Sequence, residues 1–168
     1  QWKDTQVAVK IMAMDLEEIN DDLEHSGVVE RVEDVKTEAE VLHRIRHQNI
    51  VEYYGVSFKT DETSLSLCIV LQLCSHSLMD EIMDMKVTLT WQQKLQYLLQ
   101  VAQGMQCMHE LDIYHRDLKP QNVLIDTSTG RSIARVTDFG TSKINEKNVT
   151  KGRDMTSNIG TPSYMSPE

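Results

Sequence analysis

The sequence has 168 residues, 40% hydrophobic and 26% charged, which supports a packed core of one domain or slightly more. Its net charge of −9 argues against nucleic acid or an anionic membrane as the main partner, while leaving room for a local basic site that binds a phosphorylated ligand. No run approaches the ~20 apolar residues of a membrane span, and no signal peptide is evident.

In chain order, Gln6 to Met12 alternates and is β-branched, which predicts a strand with Lys10 as its polar residue. Asp15 to Glu40 is strongly acidic, and its first part, Asp15 through Asp22, predicts a solvated loop or short helical turn. From Val28 the spacing of Val29, Val32, Val35, Ala39, Leu42 and Ile45 predicts an amphipathic helix, with Glu38 beside its apolar stripe. Taken singly, Lys10 and Glu38 are ordinary solvent-facing side chains. A strand through Tyr53 or Tyr54 follows, then a polar turn at Lys59 to Ser64 and a dense apolar strand from Leu65 to Leu73. Cys74-Ser75-His76-Ser77 breaks that strand and marks a boundary between subdomains 1–73 and 74–168. Leu78 to Met85 predicts a short helix. Thr90 is the expected N-cap of a long one through Met108, apolar beyond one stripe and so expected to be mostly buried.

Three cysteines, Cys68, Cys74 and Cys107, lie in apolar surroundings. The odd number predicts reduced, buried thiols in a cytoplasmic setting, not a disulfide framework. Zinc held by Cys74, His76, Cys107 and His109 would need unusual spacings, and no Cys-x-x-Cys pair exists.

The densest chemistry lies at Tyr114-His115-Arg116-Asp117-Leu118-Lys119-Pro120-Gln121-Asn122, a polar run between apolar segments. Buried polar atoms need partners, so such a run is costly unless its groups are used. Strands at Val123 to Asp126 and Ile133 to Val136 follow, joined by a Thr-Ser-Thr-Gly turn, and lead into Asp138-Phe139-Gly140. Thr141 to Asn158 is polar and predicts a surface loop; its Asn148-Val149-Thr150 is a formal glycosylation sequon expected to be unused.

Five elements thus stand in a fixed order: Val-Ala-Val-Lys at 7–10, a helix bearing Glu38, His-Arg-Asp-Leu-Lys-Pro-Gln-Asn at 115–122, Asp-Phe-Gly at 138–140 and Ser-Pro-Glu at 166–168. Together they resemble the signature set of the eukaryotic protein kinases. The resemblance implies an α+β, bilobal fold: a small antiparallel β lobe with one helix, then the first part of a mainly helical lobe. It implies ATP-dependent phosphoryl transfer to serine or threonine hydroxyls of protein substrates, with Mg2+ as cofactor. Lys10 would contact the α- and β-phosphates and Glu38 would hold it. Asp117 would take the substrate hydroxyl's proton, Lys119 would steady the transferring phosphate, and Asn122 and Asp138 would hold magnesium, a hard cation that prefers oxygen. Ala8 and Leu124 would sandwich the adenine, backbone groups of Gln72 and Cys74 would bond it, and Leu71 would limit access behind it. Leu42, Tyr53, His115 and Phe139 would form an internal apolar stack.

Arg116, before the catalytic aspartate, implies regulation by an upstream activating kinase, with Thr156 or Ser157 as the favoured phosphate acceptors over Thr150. Thr161 would instead bond Asp117 and Lys119. Lys-Pro-Gln-Asn is similar to the serine/threonine version of the catalytic loop, and the opening and closing stretches resemble the tyrosine-kinase-like group. The family's glycine-rich loop and the rest of its large lobe are not in the sequence, which is expected to be a piece of a longer protein and a weak enzyme alone. The interval from Lys10 to Glu38 is longer than the family's usual one, implying an acidic insertion. A catalytically silent scaffold is the competing expectation, opposed by the full set of charged residues.

Overall fold

A computed structural model describes residues 4–15, 28–61, 63–144 and 160–165. The acidic insertion beyond Asp15, the loop serines and threonines at 150–157, the sequon and the Ser-Pro-Glu motif lie outside the described residues. The chain divides into two compact units, one of residues 1–44 and 52–73, the other of 45–51 and 74–168.

The first unit is a three-stranded antiparallel sheet with one helix. Strand β1 (Val7–Asp15), helix α1 (Val28–Arg44), β2 (Tyr53–Thr60) and β3 (Ser64–Gln72) follow in sequence, and β3 is central. β1 runs three residues further than its alternation to Met12 suggests, because Ala13, Met14 and Asp15 continue the ladder to Ser66, Leu65 and Ser64. Met14 keeps the pattern and is buried. The register shift at Tyr53/Gly55 makes a bulge, and Gly55 takes a φ of 153° there. α1 buries Val35, Glu38, Val41 and Leu42, whereas Val29 and Val32 are exposed, so the predicted apolar stripe is only partly covered. Glu38 is fully inside, not at the border of the packed face.

In the second unit, short β4 (His76–Ser77) and helix α2 (Leu78–Met83) precede the long α3 (Trp91–Glu110). α2 ends earlier than expected, where Asp84 turns to an extended conformation. Thr90 caps α3 in a reciprocal box with Gln93. After β5 (Ile113–Tyr114) and a 3-10 turn at Pro120–Asn122 come β6 (Val123–Asp126), β7 (Ile133–Val136) and β8 (Lys143–Ile144). β6 is the middle strand of β4-β6-β7, and β8 pairs with β5. Tyr97 of α3 packs with Val123, Ile125 and Ala134 to form the core under this sheet.

Residues 45–51 are tied to the same unit. Val51 N–H donates to Val136 O at 2.9 Å, Val136 N–H returns to Asn49 O at 2.9 Å, and Asn49 Nδ2 donates to Ala134 O at 3.0 Å. Two expectations fail. α3 is not mostly buried: Trp91, Leu95, Leu98 and Leu99 are 60–78% exposed, because among the described residues it is the face carrying Tyr97, Gly104 and Met108 that is covered. The three cysteines are half-buried, not buried.

Candidate active site

The β5 strand and the 3-10 turn hold the polar nonapeptide at both ends, and its backbone bends sharply between them. Arg116 adopts φ 65° and Asp138 φ 66°, the left-handed region that costs a non-glycine residue ~1–3 kcal/mol. Two of the four such residues in the described chain therefore sit here, as strain at a functional site tends to. His115 explains part of the cohesion. It is 1% exposed; its Nε2 lies 2.9 Å from Thr137 O and its Nδ1 3.3 Å from Asp117 N–H. Burial pushes its pKa down, which fits the neutral tautomer with Nε2–H donating and Nδ1 accepting. The ring also packs on Phe139 at 5.5 Å.

Around Asp117 the donors converge. Lys119 Nζ is 2.7 Å from Oδ2, Thr161 Oγ1 donates to Oδ1 at 2.6 Å, and Asn122 Nδ2 donates to Oδ2 at 3.2 Å and to the backbone carbonyl at 2.9 Å. Lys119 Nζ also donates to Thr161 Oγ1 at 2.8 Å, closing a triangle. Burial raises the Asp117 pKa, but the bonds from Lys119 and Thr161 outweigh it and leave the carboxyl below its usual range. It is an ionised acceptor at neutral pH. Gly160 brings Thr161 in: its φ is 111°, and a Cβ there would lie 2.7 Å from Arg116 O. Arg116 is itself aimed by its neighbours, Nε donating to Thr141 O at 2.5 Å while Thr141 Oγ1 donates to His115 O at 3.1 Å.

Asn122 spends its amide nitrogen on Asp117, which turns its oxygen the other way. That oxygen and the Asp138 carboxylate are the hard donors magnesium takes, so the residue types fit the ion. In the first unit, Lys10 Nζ reaches Glu38 Oε2 at 2.8 Å and Oε1 at 3.0 Å. The Glu38 side chain is 4% exposed, and this bidentate contact is what makes a buried carboxylate tolerable.

The remaining sequence-derived residues fall as follows. Ala8 and Leu71 face each other across β1 and β3, and Gln72 N–H is taken by Glu52 O at 2.8 Å. Leu124 lies on β6 opposite Arg135. The Cys74 thiol is pushed up to about 11 by burial and the nearby Asp126. Leu42 and Tyr53 belong to the first unit, His115 and Phe139 to the second. Sequence reading misses Thr137 and Thr141, which act here mainly through backbone oxygens that any residue supplies. It also misses the buried Asp126–Arg135 pair at 2.9 Å, joined by Arg135 Nη1 donating to Gln48 O at 2.6 Å. Those partners are set by strand pairing and by the 45–51 segment, not by local spacing.

Comparison with known proteins gives the family and the fold. The model of the protein kinase domain matches residues 1–168. A mitogen-activated protein kinase kinase kinase of Caenorhabditis elegans is 36% identical over 141 residues, 83% of this chain and 14% of that protein. A probable serine/threonine-protein kinase of Dictyostelium discoideum is 30% identical over 167 residues, 99% of this chain and 9% of that protein. The chain thus spans a small part of these relatives. Among solved structures, the yeast RNA polymerase II CTD kinase complex superposes with a TM-score of 0.67 at 20% identity, over 90% of this chain and 43% of that one, a likeness of fold. The family match over the whole sequence, with named serine/threonine kinases among the relatives, establishes that the chain belongs to the protein kinase family.

Proposed function

We propose that the chain is the catalytic core of a serine/threonine protein kinase that moves the γ-phosphoryl group of ATP to a protein hydroxyl in a signalling pathway. The observation that carries this reading is the set of bonds around Asp117. Three donors hold an ionised carboxylate: a cation, Lys119, a hydroxyl, Thr161, and the Asn122 amide. Asp117 accepts the substrate hydroxyl's hydrogen bond and receives its proton as the oxygen attacks phosphorus. Thr161 marks where that hydroxyl sits, since its Oγ1 already makes both bonds the substrate oxygen needs. Lys119 then balances charge on the transferring group.

Phosphoryl transfer demands positioning and charge neutralisation more than covalent chemistry, and the residues supply both. Lys10, fixed by Glu38, pairs with the α- and β-phosphates. Asn122 and Asp138 would hold Mg2+, which would supply charge neutralisation for the phosphates. Adenine lies against Ala8 and Leu124 and bonds the backbone at Gln72 and Cys74. The N–H of Gln72 is bonded to Glu52 O. Arg116 receives a loop phosphate placed by an upstream kinase. The division into subdomains falls after Leu73, with residues 45–51 grouped by their contacts with the second.

The full-length protein, assayed with ATP and Mg2+ on matched serine, threonine and tyrosine peptide pools, tests this reading. Phosphate on serine and threonine is the expected product. Incorporation confined to tyrosine, or none above an Asp138→Asn control, would remove it.

A further inference from the structure

The backbone at Cys74 and the side chain of Leu124, both in the second unit, are groups proposed above to meet adenine. The chain joins them through Ser75, whose side chain the phosphate chemistry does not use. Directly after Cys74, the Ser75 N–H donates to Ile125 O at 2.9 Å. β4 then runs antiparallel to β6, with His76 opposite Ile125 and Ser77 opposite Leu124. The strand that leaves Cys74 is therefore the one lying beside Leu124. A ladder of two residues is shorter than the usual strand of about 3–10, so bonds outside it carry more of its register.

Ser75 supplies such bonds. Its Oγ lies 2.6 Å from Thr127 Oγ1 and accepts the Thr127 N–H at 3.3 Å, so one side chain meets the hydroxyl and the amide of one residue. Thr127 is a firm anchor. Its carbonyl takes the Gly130 N–H at 3.0 Å, closing the turn between β6 and β7, and Gly130 adopts there a φ of 77° that suits glycine. Just before it, Asp126 is tied to Arg135 at 2.9 Å and accepts the Ser128 N–H at 3.0 Å. The Ser75 hydroxyl thus ties the segment next to Cys74 to a stretch whose geometry is already fixed. Ser75 and Thr127 are both exposed, so loss of either hydroxyl opens no cavity in the core. We propose that Ser75 and Thr127 are positioning residues for the nucleotide: their hydroxyl pair holds the Cys74 backbone in the register with Leu124 that adenine binding uses. This rests on the phosphoryl-transfer reading, because without a nucleotide the pair has nothing to position. The pair acts on binding and not on the transfer step, since Asp117 is held by its own bonds from Lys119, Thr161 and Asn122.

The test is calorimetric titration of full-length protein with Mg-ATP and, separately, with adenosine, followed by steady-state kinetics on a serine peptide. Ser75→Ala and Thr127→Val should each weaken both ligands by the same factor, about three- to tenfold, the effect of one lost hydrogen bond. KM for ATP should rise by that factor while kcat and the peptide KM stay as in the wild type. Ser75→Thr keeps the hydroxyl and should restore wild-type affinity. The double variant should bind no more weakly than either single one, because both substitutions remove the same contact. Thermal melting checks that each variant is folded. Wild-type affinity for both ligands in Ser75→Ala and Thr127→Val overturns the proposal and leaves the kinase reading intact. So does a lower kcat at unchanged KM for ATP, since the pair then acts on the transfer step. Additive losses in the double variant overturn it too, because the two hydroxyls then act separately. Wild-type protein that binds no ATP removes the phosphoryl-transfer reading and this proposal together.

Discussion

Asp117 shows how a few short contacts set the state of one group. Burial works against its charge, and the bonds from Lys119, Thr161 and Asn122 prevail. A carbon-13 NMR titration of the Asp117 carboxyl should give a pKa below the usual ~3.9. Thr161→Val removes one donor, so the value should rise towards that reference; an unmoved titration would contradict the bond's role. Cys74 behaves in the opposite sense. Its thiol, raised to about 11, is protonated at pH 8 and should alkylate with iodoacetamide much more slowly in the folded protein than after denaturation. Equal rates in the two states would show that burial does not protect it.

At the scale of elements, the second unit depends on how closely α3 approaches the 45–51 segment. A Cβ on Gly104 would stand 2.7 Å from Asn49 O, and that oxygen cannot retreat without losing the bond from Val136 N–H. Gly104→Ala gains ~1 kcal/mol of helix propensity but meets an overpacking cost of ~1–3 kcal/mol. The clash is with backbone, so a net loss of about 1 kcal/mol in denaturant unfolding is expected, and a stabilised variant would refute it. The Asp126–Arg135 pair lies nearby, with side chains 2% and 14% exposed. Burial raises the Asp126 pKa; Ser128 and Arg135 outweigh it, so the folded value is depressed. A depressed carboxylate contributes stability above its unfolded pKa and loses it as pH falls through the folded one. Arg135→Gln removes part of the depression and strands a buried charge. It should cost ~3–5 kcal/mol at neutral pH and move the onset of acid unfolding to higher pH. An unchanged acid midpoint would contradict this.

These same elements show what the sequence made legible. β1, α1, β6 and β7 announce themselves through alternation or helical period, and Thr90 through its cap. The exposed half of β2 does not, because an edge strand needs no apolar alternation on its open side. α3 is exposed in this chain for a related reason: apolar content reports what a helix is able to bury, not which faces meet a partner. Local spacing likewise hides Glu38's burial, which rests on an ammonium 28 positions away. The motif at 115–122 was readable as chemistry, while the acceptors that orient His115 and Arg116 are backbone oxygens and carry no residue signature.

For the molecule as a whole, the described chain combines a tightly bonded set of charged groups with large uncovered apolar surfaces. No helix among the described residues is long and apolar enough to cross a membrane. Leu95, Leu98 and Leu99 of α3 are exposed. The 168-residue chain by itself should bind a hydrophobic dye strongly and self-associate at micromolar concentration, and Leu95→Glu with Leu98→Glu should reduce both. A monodisperse, dye-silent chain would show that this face is satisfied some other way. The central claim is that Asp117 serves as the base in phosphoryl transfer. Its most direct test is a single-turnover measurement of γ-phosphate transfer from ATP to a serine peptide by full-length protein, wild type against Asp117→Asn. The account predicts a rate lower by ~10²–10⁴-fold with nucleotide affinity retained. Equal transfer rates in the two proteins would contradict it.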